Sequence, residues 1–265
     1  MRTLMLAGLL LASPFAFAAM QTREVTWTLE DIEYQGFVVY DDAGGKRPGL
    51  VMVPNWMGVN PDQVEMAQQI AGDDYVVLVA DVYGKDVRPQ NPNEASAAAK
   101  NARADPRGLR ARARKAVAVL KEQAGKAPLD TTKIGAIGFC FGGSTVLELA
   151  RDGAGISGVA SFHGGLATTL PAESGKVRAG VLVLNGAADA GVEAGQIQAF
   201  EQEMDAAGVD WVFVNFADAV HCFTEPTANR PPNCVYHERS ARRAFAMMDD
   251  FFAEVFARES AADGP

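Results

Sequence analysis

Lys133-Ile134-Gly135-Ala136-Ile137-Gly138-Phe139-Cys140-Phe141-Gly142-Gly143-Ser144-Thr145-Val146-Leu147-Glu148-Leu149-Ala150 reads as a strand, a sharp turn and a helix in succession. Ile134 to Ile137 is short and apolar, which suits a buried strand. Ser144 to Ala150 reads as the start of a helix. The turn between them has the pattern G-x-S-x-G with cysteine in the serine position. A reversal this tight crowds the central residue's backbone, and Gly138, Gly142 and Gly143 remove the Cβ atoms that would block it. The turn lifts the Cys140 sulfur out of the sheet to a helix N-terminus, where partial positive charge favours a thiolate. The competing interpretation is a small buried cysteine beside a turn.

Outward from this stretch, apolar runs alternate with helical patterns. Val25–Leu29 and Phe37–Tyr40 read as strands and open the sheet antiparallel, and Asp41–Gly45 is a turn cluster. Gly49–Pro54 and Val76–Ala80 are buried strands. A helix capped by Asn60, with Pro61 at its first position and Gln63 reaching back, lies between them. Lys85–Ala104 reads as a loop and a short helix over one side of the site. Leu109, Ala113, Ala116, Val117 and Leu120 recur at helical spacing, and the intervening Arg107, Arg110, Arg112, Arg114, Lys115 and Lys121 read as a solvated face. Strands follow at Gly158–Phe162, Gly180–Leu184 and Trp211–Asn215. Amphipathic helices run through Ile197–Ala207 and Ala241–Phe256. This alternation implies one doubly wound α/β domain over residues 19–265, with a mostly parallel sheet of about seven to eight strands.

The chain has 265 residues, 48% of them hydrophobic, and a net charge of −9. An acidic chain is a poor partner for nucleic acid or an anionic membrane surface. Residues 1–18 read as a secretory leader: Arg2 is the charged segment, Leu4–Leu11 the apolar segment and Ala16-Phe17-Ala18 the cleavage pattern. The apolar run is too short to span a membrane. The leader implies an exported protein, periplasmic or secreted. In an oxidising compartment two of the three cysteines tend to pair. Cys222 and Cys234 flank a short Pro-rich loop, so they are the expected disulfide, with Cys140 left free. Closing that loop stabilises by about 3 kcal/mol in the chain-entropy account.

A cysteine nucleophile needs a base and a group that orients the base. On a strand–turn–helix nucleophile the chain order is nucleophile, acid, histidine. Of the three histidines, His163 precedes any acid on a later strand. From Phe162-His163-Gly164-Gly165 it would line the site or take a structural hydrogen bond. His237 stands at the entry to the last helix. His221 follows the last strand closely and is preferred as the base. Asp189, after the Gly180–Leu184 strand, is preferred as the acid over Asp205, Asp210 and Asp218, which sit on helix ends or strand edges. Backbone N–H groups of Phe141 and of Trp56, with Met57 next, are the expected oxyanion donors.

With these pieces in place, the chain resembles the dienelactone hydrolase family of α/β-hydrolases over roughly Val25 to Phe256. The resemblance rests on Gly138–Gly143, Gly186-Ala187-Ala188-Asp189, His221-Cys222-Phe223, Trp56–Asn60 and Asp81-Val82-Tyr83. It implies an α/β-hydrolase fold and a Cys140–Asp189–His221 triad. It further implies hydrolysis through a thioester, without metal or cofactor. The expected substrate is a small ester or lactone, and Asn55, Tyr83 and His163 are expected to line its pocket. Two positions depart from the family. Its founding enzymes carry Glu where this chain has Asn55. They carry an Arg after the triad histidine where this chain has Thr224-Glu225, and a glutamate there would repel an anionic substrate. Those departures keep open a second interpretation, a non-catalytic or regulatory ligand-binding module. A third, thiol-redox chemistry, lacks a C-x-x-C. The oligomeric state has no signature in the sequence.

Overall fold

The computed structural model of the chain describes residues 19–262. The leader read over residues 1–18 lies outside the described residues. Eight strands form one sheet: β1 (Met20–Leu29), β2 (Ile32–Asp41), β3 (Arg47–Val53), β4 (Val76–Val79), β5 (Leu129–Phe139), β6 (Gly158–Phe162), β7 (Gly180–Gly186) and β8 (Trp211–Phe216). Their spatial order is β1-β2-β4-β3-β5-β6-β7-β8. The β1–β2 hairpin and the β2–β4 pair are antiparallel, and every pair from β4 to β8 is parallel. The helices are α1 (Pro61–Ala71), α2 (Pro92–Ala104), α3 (Pro106–Lys121), α4 (Phe141–Arg151), α5 (Ala194–Ala207) and α6 (Glu238–Ala262). This is the α/β-hydrolase fold.

The central strands are apolar throughout because both of their faces are covered. Along β3, Val51 and Val53 face one core while Leu50 and Met52 face the other; in β4, Val76 and Leu78 oppose Val77 and Val79 in the same way. The first core is closed by α2, α3, α4 and α5, through residues such as Leu109, Ala113, Val146 and Phe200. The second is closed by α1 and α6, through Met66, Ala67, Met248 and Phe252. A one-residue slip of β3 would exchange the two sets between the cores, so the register is held by the packing of the particular side chains and not by an apolar–polar pattern.

Two local expectations change. The basic face of α3 is not wholly solvated: Arg110 is buried and pairs with Glu148 at 2.7 Å, and Glu148 also pairs with the buried Arg151, itself 2.9 Å from Glu203. Those ion pairs tie α3, α4 and α5 together. The Pro-rich segment after His221 is not a plain loop, since β9 (Asn229–Arg230) and β10 (Cys234–Val235) pair as a small antiparallel hairpin.

The strand order turns at β3. From β3 the chain crosses through α1 to β4 on one side, then returns through α2 and α3 to β5 on the other. At such a switch point the loops leaving neighbouring strands diverge and open a crevice at the strands' carboxyl ends. Cys140 leaves β5 at that point.

Candidate active site

Cys140 has φ 53° and ψ −112°, between the end of β5 and the first residue of α4. A non-glycine residue held at positive φ is strained, and neighbouring contacts must enforce it. The flanking glycines show how. A Cβ on Gly138 would stand 2.1 Å from the Gly142 carbonyl oxygen, and one on Gly142 would stand 2.0 Å from that of Val53. The elbow is therefore clamped against both its own helix and the end of β3. The Cys140 N–H donates to the Phe162 carbonyl at 3.0 Å and reaches His163 Nδ1 at 3.2 Å. Cys140 is a free, half-buried thiol.

Asp189 follows β7. Its Oδ1 accepts the Gly191 N–H at 2.8 Å, which leaves Oδ2 2.7 Å from His221 Nδ1. The structure thus brings this acid and this histidine together. Burial pulls on the Asp189 carboxyl upward, but the His221 hydrogen bond and charge and the Gly191 N–H outweigh it and hold it below its ordinary value. For His221 burial acts downward. Hydrogen bonding to Asp189 and to Cys140, with the charge of both, overcomes burial and pushes its pKa up to about 10. The rejected alternatives are engaged elsewhere. Asp205 accepts from the Trp211 indole, Asp210 pairs with Arg258, and His237 Nδ1 bonds Ser240 at the start of α6.

Cys140, Asp189 and His221 line one cavity of about 1120 Å³ with Asn55, Trp56, Gln63, Glu225 and Arg230. The turn after β3 presents two candidate oxyanion donors, and their surroundings differ. Met57 N–H is taken by Asn55 Oδ1 at 3.0 Å. Trp56 N–H and Phe141 N–H have no acceptor among the described residues. Both are therefore free to receive a developing negative charge.

Neither Tyr83 nor His163 lines the pocket, and His163 takes the structural hydrogen bond that is the other role read for it. Tyr83 lies behind the turn, where its hydroxyl donates to the Trp56 carbonyl at 3.1 Å and its ring packs on Phe141. His163 is fully buried. Its Nδ1 faces the Cys140 N–H, so Nε2 carries the proton and donates to Thr224 Oγ1 at 2.8 Å. Burial, then the charge of His221, holds its pKa well below the ordinary value. A neutral His163 thus joins the elbow to the loop that carries His221, and their rings meet edge to face with centroids 5.1 Å apart.

Cys222 and Cys234 form a disulfide. Val235 N–H donates to the His221 carbonyl at 3.2 Å, so the β9–β10 hairpin, a wall of the cavity, is fastened beside the histidine. Sequence reasoning missed Thr224 and Arg230. The Arg230 guanidinium sits 5.7 Å over the Trp56 ring. It also misassigned Gln63, whose side chain accepts from Asn55 N–H (3.4 Å) while Asn60 caps the helix. Charge-bearing residues in the pocket-side loop were the available signal for Arg230. Among the described residues no cluster of His, Cys, Asp or Glu could hold a metal ion.

The sequence matches the dienelactone hydrolase family over residues 35–256. Two solved structures are similar across nearly their full lengths. The protein titled m3DLH is 35% identical with a TM-score of 0.83, covering 90% of this chain and 99% of its own. The dienelactone hydrolase-like promiscuous phosphotriesterase P91 from metagenomic libraries is 33% identical with a TM-score of 0.82, covering 89% and 99%. The Caenorhabditis elegans protein K02A2.1 is 36% identical over 138 residues, 49% of this chain and 84% of its own.

Proposed function

We propose, from the premise that this chain belongs to the dienelactone hydrolase family and is a hydrolase, that it cleaves a small carboxylic ester or lactone by acyl transfer through Cys140. The observation that carries this reading is the 2.7 Å Asp189–His221 contact in the cavity where the strained Cys140 presents its thiol. His221, with Asp189 behind it, takes the Cys140 proton, and the sulfur attacks the carbonyl carbon as a thiolate. The carbonyl oxygen takes up the negative charge and accepts from Trp56 and Phe141 N–H. Collapse of that adduct breaks the carbon–oxygen ester bond, and the His221 imidazolium gives its Nε2 proton to the departing alkoxide. A thioester remains. His221, now neutral, takes a proton from water, the hydroxide attacks the thioester, and the thiolate leaves with the acid product released. Asp189 holds the ring orientation and stabilises the imidazolium at both stages.

The test is p-nitrophenyl ester turnover by the mature protein beside Cys140→Ala, with mass spectrometry of the quenched enzyme. The expected result is a Cys140-dependent burst, a mass gain equal to the acyl group, then steady turnover. Full activity in Cys140→Ala would overturn the reading. The likeness to P91 favours a second substrate class, phosphotriesters attacked at phosphorus by the same sulfur, and paraoxon in the same assay tests it. The leader pattern together with the disulfide supports export; N-terminal sequencing of the secreted product should begin at Ala19 or Met20.

A further inference from the structure

The loop that offers the oxyanion donor and the loop that carries the base meet through one polar contact. Asn55 Nδ2 donates to Glu225 Oε2 at 2.7 Å, across 170 residues of sequence. The direction of that bond is fixed locally. Met57 N–H claims Asn55 Oδ1 at 3.0 Å, so the amide nitrogen must face Glu225. The Asn55 carbonyl takes Gly58 N–H at 2.9 Å. One residue thus holds the turn from Asn55 to Gly58, engaging Met57 N–H and leaving Trp56 N–H free. Glu225 is itself anchored: its N–H donates to the Cys222 carbonyl and its carbonyl accepts from Ala228, both at 2.9 Å. It follows Thr224, which His163 holds, and Cys222, which the disulfide holds.

We propose that Glu225 is a positioning residue for acyl transfer: through Asn55 it sets the Trp56 N–H relative to Cys140 and links that donor to the His221 loop. This rests on the hydrolase reading above. A second observation argues that the contact serves function more than stability. Glu225 Oε1 is buried with no donor among the described residues, a costly arrangement that an apolar pair would avoid. Burial raises the Glu225 carboxyl above its ordinary value, the mark of that cost, although the Asn55 hydrogen bond and the charges of His221 and Arg230 oppose it.

The pair can be reversed, and the reversal is the test. Glu225→Ala should lower kcat by about ten- to a hundredfold with KM changed less than about twofold, because an oxyanion donor acts in the transition state. Glu225→Gln should keep at least about a third of kcat, since its amide oxygen still accepts from Asn55 Nδ2. Asn55→Asp alone sets two carboxylates face to face and should fall like Glu225→Ala. Asn55→Asp with Glu225→Gln restores a donor–acceptor pair of opposite polarity and should recover most of kcat. Iodoacetamide alkylation of Cys140, which builds no oxyanion, should vary by less than about threefold across the variants, far less than kcat. Hydrogen exchange of the Met57 amide, followed in Cys140→Ala, should quicken with Glu225→Ala and slow again in the reversed pair. Unchanged kcat and exchange in Glu225→Ala, or a reversed pair no better than Asn55→Asp, would overturn the proposal. If the wild type turned over no ester, the hydrolase reading would fall, and the exchange data alone would decide whether the link exists.

Discussion

The elbow around Cys140 and the loop from His221 to Val235 border one cavity and are held there by opposite means. The elbow is held by backbone packing. Its glycines stand where a single methyl group would meet carbonyl oxygens at 2.0 to 2.1 Å. No side-chain cap assists the start of α4. The histidine loop is held by side chains: the Cys222–Cys234 disulfide, Thr224 to His163, Glu225 to Asn55 and His221 to Asp189. Sterics leave the elbow one geometry. Cross-links set the loop by several ties, each of which can be altered separately.

That contrast orders the expected effects. The largest lies on the loop side, at the tie that touches the chemistry. Asp189→Asn keeps the shape but favours the wrong tautomer of His221, and should cut kcat by about 10²- to 10⁴-fold while the melting temperature moves little. If kcat held, Asp189 would be a turn residue and no more. Next comes the elbow. Gly142→Ala cannot be relieved by a rotamer change because its neighbours are backbone atoms, so urea unfolding should show a loss of at least about 3 kcal/mol. A smaller loss would mean that the β3 end yields, and that the elbow is softer than its contacts imply.

Removing the disulfide with Cys222→Ser and Cys234→Ser tests the loop as a cross-linked unit. Unfolding in urea should show a loss of about 3 kcal/mol, and KM should rise more than kcat falls, because the β9–β10 hairpin walls the pocket. Equal kinetics in the oxidised and serine forms would assign the bridge to stability alone. The most gradual effect is a pH slope. His221 is raised from an ordinary 6.5 to about 10 in the folded protein. Its contribution to stability is therefore complete below pH 6.5 and is lost as pH rises toward 10. Cys140→Ala removes the thiol's hydrogen bond and charge, so the His221 pKa measured by NMR should fall and the stability slope should move to lower pH. An unmoved His221 would show that Asp189 alone sustains the imidazolium.

Much of the fold was legible because it depends on period and on local steric demand. The apolar runs Gly49–Pro54 and Val76–Ala80 and the glycines of the elbow are read within a few residues. Arg110 shows where such reading stops: its spacing placed it among solvated charges, and Glu148 on a neighbouring helix with the Leu170 carbonyl made burial possible. His163 shows the same limit. Its position after β6 was clear, but its depth depends on Thr224 closing over it from a loop 61 residues away.

The sequence by itself determined that Cys140 stands on a strand–turn–helix reversal and that Asp189 and His221 follow it in the required order. These are consequences of backbone geometry and chain order, which neighbouring residues dictate. The tertiary structure alone decided that Asp189 meets His221 at 2.7 Å, that Trp56 rather than Met57 keeps its N–H free, and that Asn55 faces Glu225. Each of these joins loops brought together by sheet register and by where the strands end. A hydrogen bond across such loops is decided within a few tenths of an ångström, a precision that local propensity does not carry.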